Sequence, residues 1–243
     1  MSDVIFMTGA RGGAGATTCA VKLGIALSEA GERTLIVDGD AECASGLQIS
    51  GLQGMNVYTL ADVETGACRV KQAVLQHPSS PNLYVLPSLG LKSAECAESA
   101  VAECEQLFDY VICDNTARKA CRRAILVSDP YRLSMTGAKI RGAELKDAGF
   151  KDVGLIVNKV NGGLVFDGAI LTPQEFATVA RLPLWGVIPE DLSLPVNKMR
   201  AGTKKAFALT AAFISGKGKK TYGVVREYAG VKGIIKRKMR ERV

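Results

Sequence analysis

The chain has 243 residues, 47% of them hydrophobic and 23% charged, enough for one large α/β domain or two small ones with a real core. Nothing approaches the roughly 18 unbroken apolar residues of a membrane-spanning helix, and seven cysteines without a CxxC pair, with a single histidine, offer no zinc-ligand spacing. The net charge of +7 is unevenly placed: residues 216–243 hold ten Lys/Arg against two acids and the remainder 21 against 22, so a near-neutral body ends in a +8 segment that calls for an anionic partner of its own.

The opening MSDVIFMTG lacks a basic leader and passes straight into an apolar run, the expectation for a cytosolic chain. VIFMT (4–8), TLIVD (34–38), LYVLP (83–87), YVICD (110–114), AILVS (124–128), VGLIVN (153–158) and LWGVI (184–188) read as strands. They are rich in Val, Ile and Leu without polar alternation, as a parallel sheet covered on both faces requires. Between the first two, Cys19, Leu23, Leu27 and Ala30 fall at helical spacing, and Gly31 follows as a stop. Thr172-Pro173-Gln174-Glu175 is a helix start with a capping box. Strand and helix alternate throughout, which predicts a doubly wound, mostly parallel α/β domain. The cysteines are expected to be reduced and packed as small apolar side chains. His77, beside Pro78 and a serine-rich turn, is expected in a solvated loop. GKGKKTYG (216–223) reads as a linker, dividing a domain over 1–215 from a terminal segment over 224–243.

Residues 7–18, MTGARGGAGATT, lie between the first strand and the first helix. Gly9, Gly12, Gly13 and Gly15 let main-chain N–H groups converge on an anion in front of a helix N-terminus, and Thr17 stands where a hydroxyl ligates Mg²⁺. The run Arg11-Gly12-Gly13-Ala14-Gly15-Ala16-Thr17-Thr18 resembles the deviant Walker A loop of the MinD/ParA ATPases, whose form is lysine-Gly-Gly-x-Gly-lysine-Thr-Thr. LIVDGD (35–40), VYTLADVETGACRVKQAVLQ (57–76), NLYVLPS (82–88), FDYVICD (108–114), LIVNKV (155–160) and LPLWGVIPED (182–191) resemble the MinD branch, so the likeness spans nearly the whole chain.

That resemblance implies a P-loop fold and a division-site role in which ATP, sandwiched between two subunits, drives dimerisation and membrane binding. It assigns ATP or ADP to Arg11–Thr18, Mg²⁺ to Thr17 and Asp114, water positioning to Asp40, and the adenine to Asn158, Pro189 and Glu190. Four departures alter the expectation. Arg11 replaces the lysine that reaches a partner's phosphates, and its planar fork is not equivalent. Ala16 replaces the lysine that grips the β/γ-phosphates. Thr116-Ala117-Arg118 stands where relatives have Pro-Ala-Gly, and AECASG (41–46) lacks the usual glycine, arginine and asparagine. Hydrolysis is therefore expected to be weak or lost and nucleotide binding weak, with Arg118 or Arg11 as candidates to replace the missing charge. The alternatives are an active ATPase in chromosome or flagellar positioning and a DNA-tethered partition protein.

Written as a helix, the end of the chain places Val231, Ile234, Ile235, Met239 and Val243 on one face and Lys236, Arg237 and four further cations on the rest, the pattern of a helix lying in an anionic membrane interface. The MinD branch ends in a similar targeting segment, which implies a protein peripheral on the inner face of the cell membrane, working as a homodimer or beside an intact MinD. A nucleic-acid arm is the competing reading, weakened because no aromatic residue follows Tyr228 for base stacking.

Overall fold

A computed structural model describes residues 2–194 and 198–228. An eight-stranded sheet runs through it in the order β3-β4-β2-β5-β1-β6-β7-β8. The strands are β1 (Asp3–Gly9), β2 (Thr34–Asp38), β3 (Leu75–His77), β4 (Ser80–Pro87), β5 (Tyr110–Asp114), β6 (Arg123–Ser128), β7 (Asp152–Val160) and β8 (Leu184–Pro189). All pairings are parallel except β3 with β4. The seven apolar runs are the seven longer strands, displaced by at most three residues at an end. The helices are α1 (Ala16–Glu29), α2 (Ser45–Ser50), α3 (Leu60–Glu64), α4 (Val70–Ala73), α5 (Ala94–Cys104), α6 (Arg132–Asp147), α7 (Gly162–Phe166), α8 (Pro173–Ala180) and α9 (Ala201–Ile214).

Alternate side chains of each strand feed opposite layers, because a strand repeats every two residues. Ile5 and Met7 of β1, with Ile112, Ile125 and Ile156, meet α1 and α9 through Leu23, Leu27, Phe207 and Ile214. Phe6, Leu126, Leu155 and Val157 meet α6 and α8 on the other face, and Val4, Val37 and Cys113 meet α5 beside them. Both faces of β1 and β5 are thus buried in apolar contact, the condition that makes their sequences unbroken hydrophobic runs.

α1 ends as predicted: Gly31 takes φ +95°, and the N–H of Glu32 reaches back to the carbonyl of Leu27. The α8 capping box also forms, with Glu175 N–H donating to Thr172 Oγ1 at 3.2 Å and Thr172 N–H to Glu175 Oε2 at 2.8 Å.

Two expectations are corrected. His77 is not in a solvated loop; it lies half-buried on β3, with Nε2 3.2 Å from the carbonyl oxygen of Ser50. The seven cysteines are free thiols, but Cys43 is exposed rather than packed. Residues 216–223 run back along α9, where Gly218 N–H donates to Ala212 O and Tyr222 packs against the core; Val224 is buried. The amphipathic pattern over 231–243 lies outside the described residues. Among the described residues no helix is long and apolar enough to cross a membrane.

Candidate functional site

β1 lies between β5 and β6 in the sheet interior, and its C-terminal end opens into a cavity of about 620 Å³. The carboxyl ends of strands in an open α/β sheet are where ligands enter. It is lined by residues 8–18, by Asp114 and Asn115 at the end of β5, and by the α6 residues Gly137, Ile140, Arg141 and Glu144. Arg11 through Thr18 thus all line one space.

The loop holds its shape through backbone conformation. Gly13 and Gly15 take φ +76° and +89°, where a side chain is strained. Gly15 is also the residue that starts α1, and no side chain caps that helix, so its first N–H groups keep their partial positive charge facing the cavity. Behind the loop, Asn158 Nδ2 donates to Ala14 O at 2.9 Å and Lys159 Nζ to Gly13 O at 2.7 Å. A Cβ on Gly15 would lie 2.5 Å from that Asn158 nitrogen. Asn158, 4% exposed, therefore braces the glycine-rich loop.

The acids sit at the ends of β2 and β5, where Asp38 pairs with Asp114 in register. Burial raises the Asp114 carboxyl to about 6, opposed by a hydrogen bond from Thr17 and reinforced by Asp38 and Asp40. Burial likewise raises Asp38, against hydrogen bonds from the N–H groups of Asp40, Leu47 and Gly46. Two buried carboxylates and a hydroxyl at the foot of an anion cradle suit a hard divalent cation, which favours oxygen ligands and would relieve the repulsion. Asp40 is differently occupied. The Ser45 hydroxyl and the Cys43 and Glu42 N–H groups bind its carboxylate and lower its pKa, and Asp40 does not line the cavity.

The cations are each already paired. Arg11 folds onto its own chain, with Nη2 2.5 Å from Asp129 Oδ2 and Nε 2.7 Å from Ser134 Oγ. Asp129 is fully buried, so a carboxylate there needs such a partner. Arg141 Nη1 donates to Glu144 Oε2 at 2.8 Å. Arg118, a candidate replacement for the missing lysine, turns away: its guanidinium lies 5.9 Å from the Phe150 ring centroid, and it does not line the cavity. Arg141 is the cavity cation that sequence reasoning missed.

Pro189 and Glu190 line a second cavity of about 400 Å³ with Asn161, Gly162, Tyr222 and Tyr228. Glu190 accepts from Asn161 Nδ2 at 2.9 Å, and Glu190 N–H bonds Val160 O at 3.0 Å. The following Asp191 is held at about 2: burial would raise it, but bonds from Ser193, Thr203 and the Arg200 N–H outweigh that. Along β7, Asn158 and Lys159 touch the loop, and Val160 and the following Asn161 and Gly162 line this second cavity.

Residues 5–201 match the CobQ/CobB/MinD/ParA nucleotide binding domain. The septum site-determining protein MinD of Thermotoga maritima is 30% identical over 215 residues, 81% of this chain and 79% of that one. The MinC:MinD cell division protein complex of Aquifex aeolicus superposes with a TM-score of 0.83 at 22% identity, over 90% of this chain and 98% of that one. The septum site-determining protein MinD of Pyrococcus horikoshii, complexed with Mg-ADP, does so with a TM-score of 0.76 at 24% identity, over 88% and 96%.

Proposed function

Because this chain belongs to the CobQ/CobB/MinD/ParA nucleotide-binding family, we propose that it is a MinD-type protein of division-site placement that holds Mg-nucleotide weakly and hydrolyses it slowly or not at all. The observation that carries this reading is a complete main-chain cradle, with Gly13 and Gly15 at positive φ, around a position where Ala16 supplies no cation. The Thermotoga relative's name supports the role, and the Mg-ADP held by the Pyrococcus protein supports the ligand.

Arg11–Thr18 would cradle the phosphates through their N–H groups. Thr17 and Asp114 would hold Mg²⁺, whose charge screens the phosphate oxygens. The base would lie toward Asn158, Pro189 and Glu190. Losing one lysine's charge-assisted hydrogen bond costs about 1.5–3 kcal/mol, or roughly 10–150-fold in Kd; that weakens a micromolar site without erasing it. Losing one preorganised donor costs on the order of 10²–10³ in rate. Asp40, engaged by the turn that follows it, is poorly placed to orient water. Hydrolysis accordingly suffers more than binding.

The segment 229–243, read from its sequence, would lie on an anionic membrane surface with Val231, Ile234, Ile235 and Met239 inward and Lys236 and Arg237 toward headgroups. Dimerisation, with itself or with an intact MinD, would multiply that attachment through effective concentration, and a MinC-like regulator fits the Aquifex complex. Arg141 in the cavity favours a second reading, an active ATPase in which it replaces the lysine. Equilibrium binding of fluorescent ATP and ADP, with phosphate release on the same sample, separates the two. Micromolar to millimolar binding with negligible turnover is expected, turnover at the pace of an intact family member would establish the second reading, and no binding at all would end both.

A further inference from the structure

A basic cavity lies away from the glycine-rich loop. It has about 590 Å³ between α9 and the stretch that runs back along it, and is lined by Lys205, Leu209, Lys220, Tyr222 and Arg226 with Thr221 and Gly223. Among the described residues no carboxylate lines it. Neighbouring lysines on the same side of the molecule are neutralised: Lys204 bonds Glu29 at 2.8 Å, and Lys217 bonds Glu32. The side chains of Lys205, Lys220 and Arg226 have no ion pair or hydrogen bond among the described residues.

Three like charges facing one recess repel one another unless an anion sits between them. Their mounting is fixed, since Lys205 and Leu209 are one turn apart on α9 while Tyr222 and the buried Val224 tie the other wall to the core. Arg and Lys donors around a shallow recess suit a tetrahedral phosphate, and the Thr221 hydroxyl adds a neutral hydrogen-bonding group. Leu209 and the Tyr222 ring give the same recess an apolar side, which inorganic phosphate does not use and a glycerophosphate does. The chain continues from Arg226 into residues 229–243, with six basic residues and one acid.

We infer that Lys205, Lys220 and Arg226 form a phosphate-binding site, filled by the headgroup of an anionic phospholipid or by free inorganic phosphate. With the headgroup bound, α9 lies against the bilayer and the body is held at a defined angle rather than swinging from its tail. The site is independent of nucleotide.

The test uses the full chain and two double variants of equal charge. Lys205→Gln/Lys220→Gln empties the cavity of two cations; Lys204→Gln/Lys217→Gln removes two that are already paired. Each cation near an anionic surface is worth about fivefold in partition. On phosphatidylcholine vesicles containing phosphatidylglycerol, the cavity variant is expected to bind at least about tenfold more weakly than the native chain, and the control variant within about threefold. In the second arm, inorganic phosphate at constant ionic strength raises the Tm of the native chain and the control but not of the cavity variant if the free ion is the occupant. A loss confined to vesicles identifies the headgroup; a loss confined to the phosphate response identifies the ion. Equal losses in both variants, no response in either arm, or a cavity-specific loss seen only with duplex DNA would each overturn the site. Circular dichroism checks folding. Should the cavity variant not fold, Arg226→Gln on the exposed rim carries the same expectation at about fivefold.

Discussion

The two halves of the candidate site are built by different means. The phosphate half relies on main-chain geometry: Gly13 and Gly15 at positive φ, an uncapped α1 N-terminus, and Asn158 and Lys159 holding the loop by its carbonyls. The other half relies on side-chain charge: Asp38 and Asp114 buried side by side at the strand ends, Arg11 reaching from the loop to Asp129, and Arg141 on Glu144. The geometric half owes its form to backbone conformation, whereas the charged half depends on side chains, and position 16 in the loop is alanine. Shape and charge complementarity in one site can therefore change separately, and a ligand that needs both is weakened in proportion to the part altered.

The largest effect should come from breaking the geometric half. Gly15→Ala sets a Cβ 2.5 Å from Asn158 Nδ2 at φ +89°; loop strain and the displaced brace should cost roughly 2–4 kcal/mol in urea unfolding and abolish measurable nucleotide binding. Native-like affinity in this variant would mean that the cradle is not what binds.

Next comes the acid pair. Folding lifts Asp114 from an ordinary carboxylate value near 3.8 to about 6, so the folded state binds more protons between those values. Asp114's contribution to the stability of the ligand-free protein should be full below about pH 4, fall as pH rises to about 6, and level off above. Asp114→Asn should flatten that slope and stabilise the ligand-free chain at pH 7.5 by up to about 3 kcal/mol, while removing any Mg²⁺ dependence of nucleotide binding. A destabilised variant with Mg²⁺ dependence intact would contradict the placement of the ion.

Arg11→Ala is a smaller perturbation. It leaves Asp129 with Ser134 Oγ at 2.5 Å and the Tyr131 N–H at 3.3 Å, and Arg11 is 49% exposed, so a loss of about 1 kcal/mol in stability is expected. Because Arg11 is held on its own chain, self-association measured by analytical ultracentrifugation should change little. A collapse of dimerisation would show that the arginine leaves Asp129 to reach a partner.

Sequence legibility follows the same division. The longer strands were readable because a strand buried on both faces must be apolar throughout, and α1 because Gly31 and the Cys19–Leu23–Leu27 face mark it. β3 was not: Leu75-Gln76-His77 is three residues of antiparallel edge with no pattern to count, and its pairing is what moved His77 out of a loop. The cradle was readable because glycines betray backbone conformation. The rest of the lining was not, since Asn115 reaches the cavity by following β5, and the α6 residues reach it only through the packing of α6 on β6 and β7. Nor was the pairing of Arg11, whose partner Asp129 is 118 residues away. Arg118 shows the converse: charge beside a site in sequence did not place it there in space.

The central claim is that an intact cradle lacks only its cation, and Ala16→Lys tests it by titrating the native chain and the variant with fluorescent ATP in Mg²⁺. Weak but saturable binding by the native chain and a roughly 10–150-fold tighter Kd in the variant are the predicted result. Equal affinity in the two, or none in either, would contradict it.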